Sequence, residues 1–294
     1  MADASGSTVP RRRLGRHLKE LREAAGLTQK AAGRAMELSE TTVWRIETGK
    51  APLKRHDVEA MCRTYKASEE TTNALVGLAS ESKSKGWWHS YGDIIPAGFD
   101  VYIGLEEAAS ELFTYEAELI PGLLQVEDYA ETLIRLHNPD ATEAEIARRV
   151  TLRVERQSLL SRVPTPPNLH VALAEAVLHR PIGGHEVMTR QLAHLVYVSE
   201  MPNVSIRVVP YAAGAHAGLL TKAFMLLRFP SNGDRAPGEP PTVYTDGYTG
   251  SLYLDKPHEI ASYEHAISGI WQAAHSDQDS LALISEMAGR HERA

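Results

Sequence analysis

Residues 28–49 read TQKAAGRAMELSETTVWRIETG. Two short helical patterns lie on either side of the break ELS at 37–39. Thr28 is the N-cap of the first, whose small residues suit close helix packing. Ser39 is the N-cap of the second, and Gly49 stops it. The second helix carries apolar side chains on one side only, at Val43 and Ile46. At about 100° per residue, Glu40, Thr41, Trp44, Arg45 and Thr48 share the opposite face. That is the geometry of a recognition helix, whose N-terminal residues reach base edges in the major groove.

Upstream, GRHLKELREAAG places Leu14, Leu18 and Leu21 at i, i+4 and i+7, with Gly26 as a stop. Downstream, 54–66 and 69–82 read as two more helices, and no strand pattern intervenes. Residues 14–82 are therefore expected to form an all-α domain of five short helices. Residues 1–13 read as a disordered segment ending in Arg11, Arg12 and Arg13. These three form either a basic arm reaching a groove or phosphate, or a solvated charge run. Charge follows the same division. Residues 1–86 carry 16 Lys and Arg against 11 Asp and Glu, and the remainder carries 15 against 27. A basic head on an acidic body suggests a polyanion for one and a different partner for the other.

A linker and aromatic segment, 83–104, opens on KSKGWWHSYGDIIPAGF, residues 83–99. Beyond it, 105–294 changes texture. Helices are predicted at 105–118, 123–137, 142–161, 184–200, 258–274 and 277–290, with Thr142 and Glu145 as a capping box. Strands are predicted at 169–175, 204–210, 222–229, 242–246 and 251–255. The later strands are too close together for helical crossovers, so they are expected to pair antiparallel. The loop 230–241 is expected to be exposed. The fold class is an all-α helix-turn-helix domain followed by a mixed α/β (α+β) domain.

The 294 residues are 43% hydrophobic and 23% charged, as in a globular chain with a real core. No apolar run approaches a membrane span, no secretory signal opens the chain, and Cys62 stands alone. These features point to a cytoplasmic protein, nucleoid-associated when bound to DNA, with no membrane partner. No Gly-rich phosphate loop and no H-E-x-x-H is present. His258, His265 and His275 are poorly spaced for a metal. His216, in the loop YAAGAHAG, lacks a visible nucleophile partner, and Cys62 reads as core. No catalytic residue, metal or cofactor is assigned. Trp88, Tyr91, Tyr115, Leu124 and Tyr129 are read in two ways, as packing between helices or as one aromatic-apolar surface for a partner or ligand.

The run LKELREAAGLTQKAAGRAMELSETTVWRIETGKAPL resembles the Xre or lambda-repressor-like helix-turn-helix family over residues 14–75. That resemblance implies double-stranded DNA as ligand. It places Gln29 on a phosphate and Glu40, Thr41 and Arg45 at base edges, with Ser39, Thr42, Trp44 and Lys50 completing the contact set. It also implies a buried ion pair, Arg22 with Glu47, that ties the first helix to the end of the recognition helix. Trp44 departs from the usual small or polar residue there. Two places suit it, over the DNA backbone or as a hydrophobic cap.

A second resemblance spans nearly the whole chain. W-W-x-x-Y, E-L-I-P-G-L-L-Q-x-x-D-Y-A, R-P-I-G-G, Q-L-x-H-L and V-V-P-Y-A-A-G-A-H-A are similar to actinobacterial WhiJ-type, antitoxin-like regulators. It implies DNA binding in front, a regulatory, partner-sensing rear domain, and a small BldB-type partner protein encoded nearby. The function expected from the whole chain is that of a repressor. A lone helix-turn-helix covers a short half-site, so a homodimer is expected. Two alternatives stand beside this reading. One is a metabolite-responsive regulator with a small-molecule pocket in the rear domain. The other is an enzyme fused to a DNA-binding module.

Overall fold

The computed structural model describes residues 8–49, 51, 53–81, 87–96, 99–230, 239–248 and 250–294. The chain divides into two compact units, 1–108 and 109–294.

Among its described residues, the first unit forms helices and no strand. It comprises α1 (Thr8–Ala24), α2 (Gln29–Ala35), α3 (Glu40–Glu47), α4 (Arg55–Thr64), α5 (Glu69–Glu81) and α6 (Phe99–Ala108), with a 3-10 turn at Trp87–Tyr91. The expected caps form: Thr28 Oγ1 accepts from Ala31 N at 3.1 Å, and Ser39 Oγ accepts from Thr42 N at 3.0 Å. Leu14, Leu18, Ile46, Val58, Met61, Cys62 and Leu75 close one apolar core. Two expectations change here. α1 begins at Thr8, so Arg11, Arg12 and Arg13 are helical and not an arm; residues 1–7 lie outside the described residues. The segment 83–104 is not wholly linker either. Within it, α6 starts at Phe99 and packs against α1, which moves the boundary to residue 108. Residues 82–86 lie outside the described residues.

The second unit is α+β. In chain order it holds β1 (Glu111–Glu116), α7 (Glu127–His137), α8 (Glu143–Glu155), β2 (Asn168–Ala174), α9 (Ala176–His179), α10 (His185–Val198) and β3 (Val204–Val209). Then come α11 (Gly218–Thr221), β4 (Phe224–Arg228), β5 (Thr242–Gly247), β6 (Gly250–Leu254), α12 (Pro257–Ala273) and α13 (Asp277–Glu292). The strands form one six-stranded sheet in the order β3-β2-β1-β4-β5-β6. β1, β2 and β3 run parallel through helical crossovers, whereas β4, β5 and β6 pair antiparallel as the spacing predicts. Phe113, Tyr115, Phe224, Leu226 and Val243 pack one sheet face against Ile260 and Ile270 of α12. α13 runs along β3 and against α10.

The predicted helix 105–118 holds only as far as Ala108, where α6 ends, and 111–116 becomes the central strand β1, paired on both sides. Four of its six residues are buried, so its sequence shows no alternation to betray it. The predicted helix 123–137 starts only at Glu127, because Pro121-Gly122 confines the preceding residues to a 3-10 turn. Most of the loop 230–241 lies outside the described residues, at 231–238.

Candidate nucleic-acid interface

The turn between α2 and α3 is tight for a local reason. Leu38 N donates back to Gly33 O at 2.8 Å, and Glu37 takes a left-handed φ of 57°. A Cβ on Gly33 would stand 2.6 Å from the Leu38 carbonyl oxygen, so only glycine admits this return. α3 then enters at a fixed angle, with Val43 0% and Ile46 4% exposed on its inner side.

Glu40, Thr41, Trp44, Arg45 and Thr48 are all exposed on the opposite side. Ser39 and Thr42 are occupied by the cap, their hydroxyls 2.8 Å apart. Lys50 lies outside the described residues. The sequence reading overlooked two further cations. Lys30 and Arg34, one turn apart on α2, are exposed beside the recognition helix. Their i, i+4 spacing was the available signal, since the first helix of the motif crosses the DNA backbone.

Behind α3 sits the expected ion pair. Arg22 and Glu47 are each 6% exposed, and both Nε and Nη2 of Arg22 donate to the Glu47 carboxylate. Arg22 Nη1 also donates to Leu27 O at 2.7 Å. The hydrogen bonds to Glu47 hold the Arg22 guanidinium above its usual pKa. Gln29 joins this pair: its Nε2 donates to Glu47 Oε2 at 2.8 Å. One N–H of its amide is thus engaged by Glu47, at the position where the resemblance implies a phosphate contact. The Tyr65 phenol, buried near the Glu47 charge, is pushed up to about 12. Arg12 packs against the end of α3, and Gly49 makes room for it. Gly49 has φ of 71°, and a Cβ there would meet Arg12 Cγ at 2.8 Å.

The expected partner surface does not assemble. Trp88, Tyr115, Leu124 and Tyr129 are 4%, 1%, 0% and 0% exposed, and only Tyr91 is partly exposed. They are core residues divided between the two units. Aromatic and leucine side chains serve a groove and a core equally well, and burial is what separates the two roles. The E-L-I-P-G-L-L-Q run is a structural loop held by glutamines. Gln125 Nε2 donates to Ile120 O at 2.7 Å, and Gln191 Nε2 to Leu124 O at 2.7 Å. Arg153 Nη1 donates to Gln125 Oε1 at 2.8 Å, and Tyr129 Oη accepts from Ile120 N at 3.1 Å.

Elsewhere in this unit, Glu116 at the end of β1 is raised to about 8 by burial and by the nearby Asp246 charge. His216 meets the Tyr115 ring edge-on at 5.9 Å, and burial lowers its pKa. Among the described residues, no group of three or more His, Cys, Asp or Glu side chains is placed to hold a metal. No described helix is long and apolar enough to cross a membrane.

Residues 13–75 match a family model described as a helix-turn-helix domain. Residues 99–286 match one described as a domain of unknown function, DUF5753. No curated protein matches the chain.

Proposed function

Because the chain belongs to the DUF5753 family and carries a helix-turn-helix DNA-binding domain in front of that domain, we propose that it is a sequence-specific transcriptional regulator that represses by occupying its site. One observation carries the proposal. α3 turns Glu40, Thr41 and Arg45 outward while Val43 and Ile46 anchor it, and the Arg22–Glu47–Gln29 cluster sets its angle. Arg offers a bidentate contact to guanine, Thr a methyl to thymine, and Glu an acceptor for the cytosine amine. Lys30 and Arg34 are suited to the adjacent phosphates.

A single recognition helix covers a short half-site, which favours a two-fold dimer with its contact in the second unit. The likeness to WhiJ-type regulators and the acidic charge of residues 87–294 support a small BldB-type protein as effector. In this reading the second unit regulates and performs no catalysis.

The test is selection of bound sites from a randomised duplex library by the full-length protein, wild type and Arg45→Ala. Arg45→Ala is expected to lose preference at one base position, a cost of about 1–3 kcal/mol there, with affinity for unrelated DNA retained. Equal losses on selected and unrelated DNA would defeat the base-reading role.

A further inference from the structure

Trp44 is the largest side chain on the outward face of α3, and it is 42% exposed. Val43 and Ile46 fill the inner face of this eight-residue helix, and Trp44 lies on the opposite side. Helical side chains lean toward the N-terminus, over the turn that precedes them. Position 44 lies one turn after Glu40 and three residues after Thr41 on the same exposed face, toward the end of the helix that meets base edges when this motif docks.

One feature of that end chooses among the chemical groups DNA presents. Glu40 brings a carboxylate one turn before the indole, and a carboxylate repels phosphate. This flank of α3 therefore suits bases better than backbone. Base edges in the major groove are hydrogen-bonding groups with one apolar exception, the C5-methyl of thymine.

We infer that Trp44 is a thymine-reading residue, its indole packed on the C5-methyl groups of one or two thymines beside the base that Arg45 contacts. The inference rests on the DNA-binding reading above. It adds what the polar residues of the helix do not supply, a preference that depends on a methyl group alone.

Deoxyuridine removes that methyl and leaves every hydrogen-bonding group of the base in place. The full-length protein is titrated with its selected duplex, each thymine replaced in turn by deoxyuridine. Affinity is expected to fall roughly fourfold per buried methyl at one or two positions. Trp44→Ala should abolish the difference at those positions and keep the preference due to Arg45, which also reports that the variant is folded. Trp44→Phe should retain part of the difference. The inference is overturned if no thymine position is sensitive, or if Trp44→Ala leaves the sensitivity unchanged. A wild-type protein that binds no duplex overturns the DNA-binding reading itself, a separate and recognisable result.

Discussion

At the scale of single residues, charge placement divides into groups that position and groups exposed for contact. Arg22 and Glu47 are buried, so their pairing offsets a desolvation cost and mainly fixes orientation. Gln29 extends that pair, so one N–H of its amide serves orientation. Glu116 is the opposite case, a carboxyl that burial and then the nearby Asp246 charge keep protonated up to about pH 8. An unfolded glutamate releases its proton near about pH 4.3. Between those values the folded chain binds more protons than the unfolded one, so stability falls as pH rises. The melting temperature of Glu116→Gln is expected to decline less than that of wild type from about pH 5 to 8, since the amide needs no proton. Parallel curves for the two proteins would show that Glu116 is not so perturbed.

At the scale of elements, the loop 118–126 shows how a chain without regular structure is held. Pro121 and Gly122 exclude an α-helix, and side-chain amides replace the missing backbone partners. Gln125 is 3% exposed and serves Ile120 O, Arg153 and, through its own carbonyl, Gln157. Gln125→Ala takes the side-chain partner from the buried Ile120 carbonyl and removes one hydrogen bond of the Arg153 guanidinium. The expected cost is about 2–5 kcal/mol, read from the midpoint shift in urea unfolding of the full chain. A shift below about 0.5 kcal/mol would mean that water replaces the amide there.

At the scale of the whole molecule, charge and symmetry set the expectations. A basic head joined to an acidic body cannot gain DNA affinity from its larger part. A second recognition helix is the simplest source of added specificity. Light scattering of the full-length protein at micromolar concentration is expected to give a dimer mass, with and without the selected duplex. A monomer under both conditions would remove the two-fold arrangement and leave the helix-turn-helix to act on a single half-site.

The sequence by itself determined the elements whose signals are local. The caps at Thr28, Ser39 and Thr142, the glycine stop at Gly49, and the inward Val43 and Ile46 depend on neighbours three or four residues away, and all form as expected. The pairing of β4, β5 and β6 was legible for a related reason, since short connections leave only antiparallel neighbours. Only the tertiary structure decided three other matters. β1 is a strand because β2 and β4 pair with it from distant parts of the chain, overriding the helix-forming Glu and Ala around it. Arg11–Arg13 are helical because α1 continues through them to Thr8. Trp88, Tyr115, Leu124 and Tyr129 are core residues because burial depends on what folds over a side chain, and no local pattern records that.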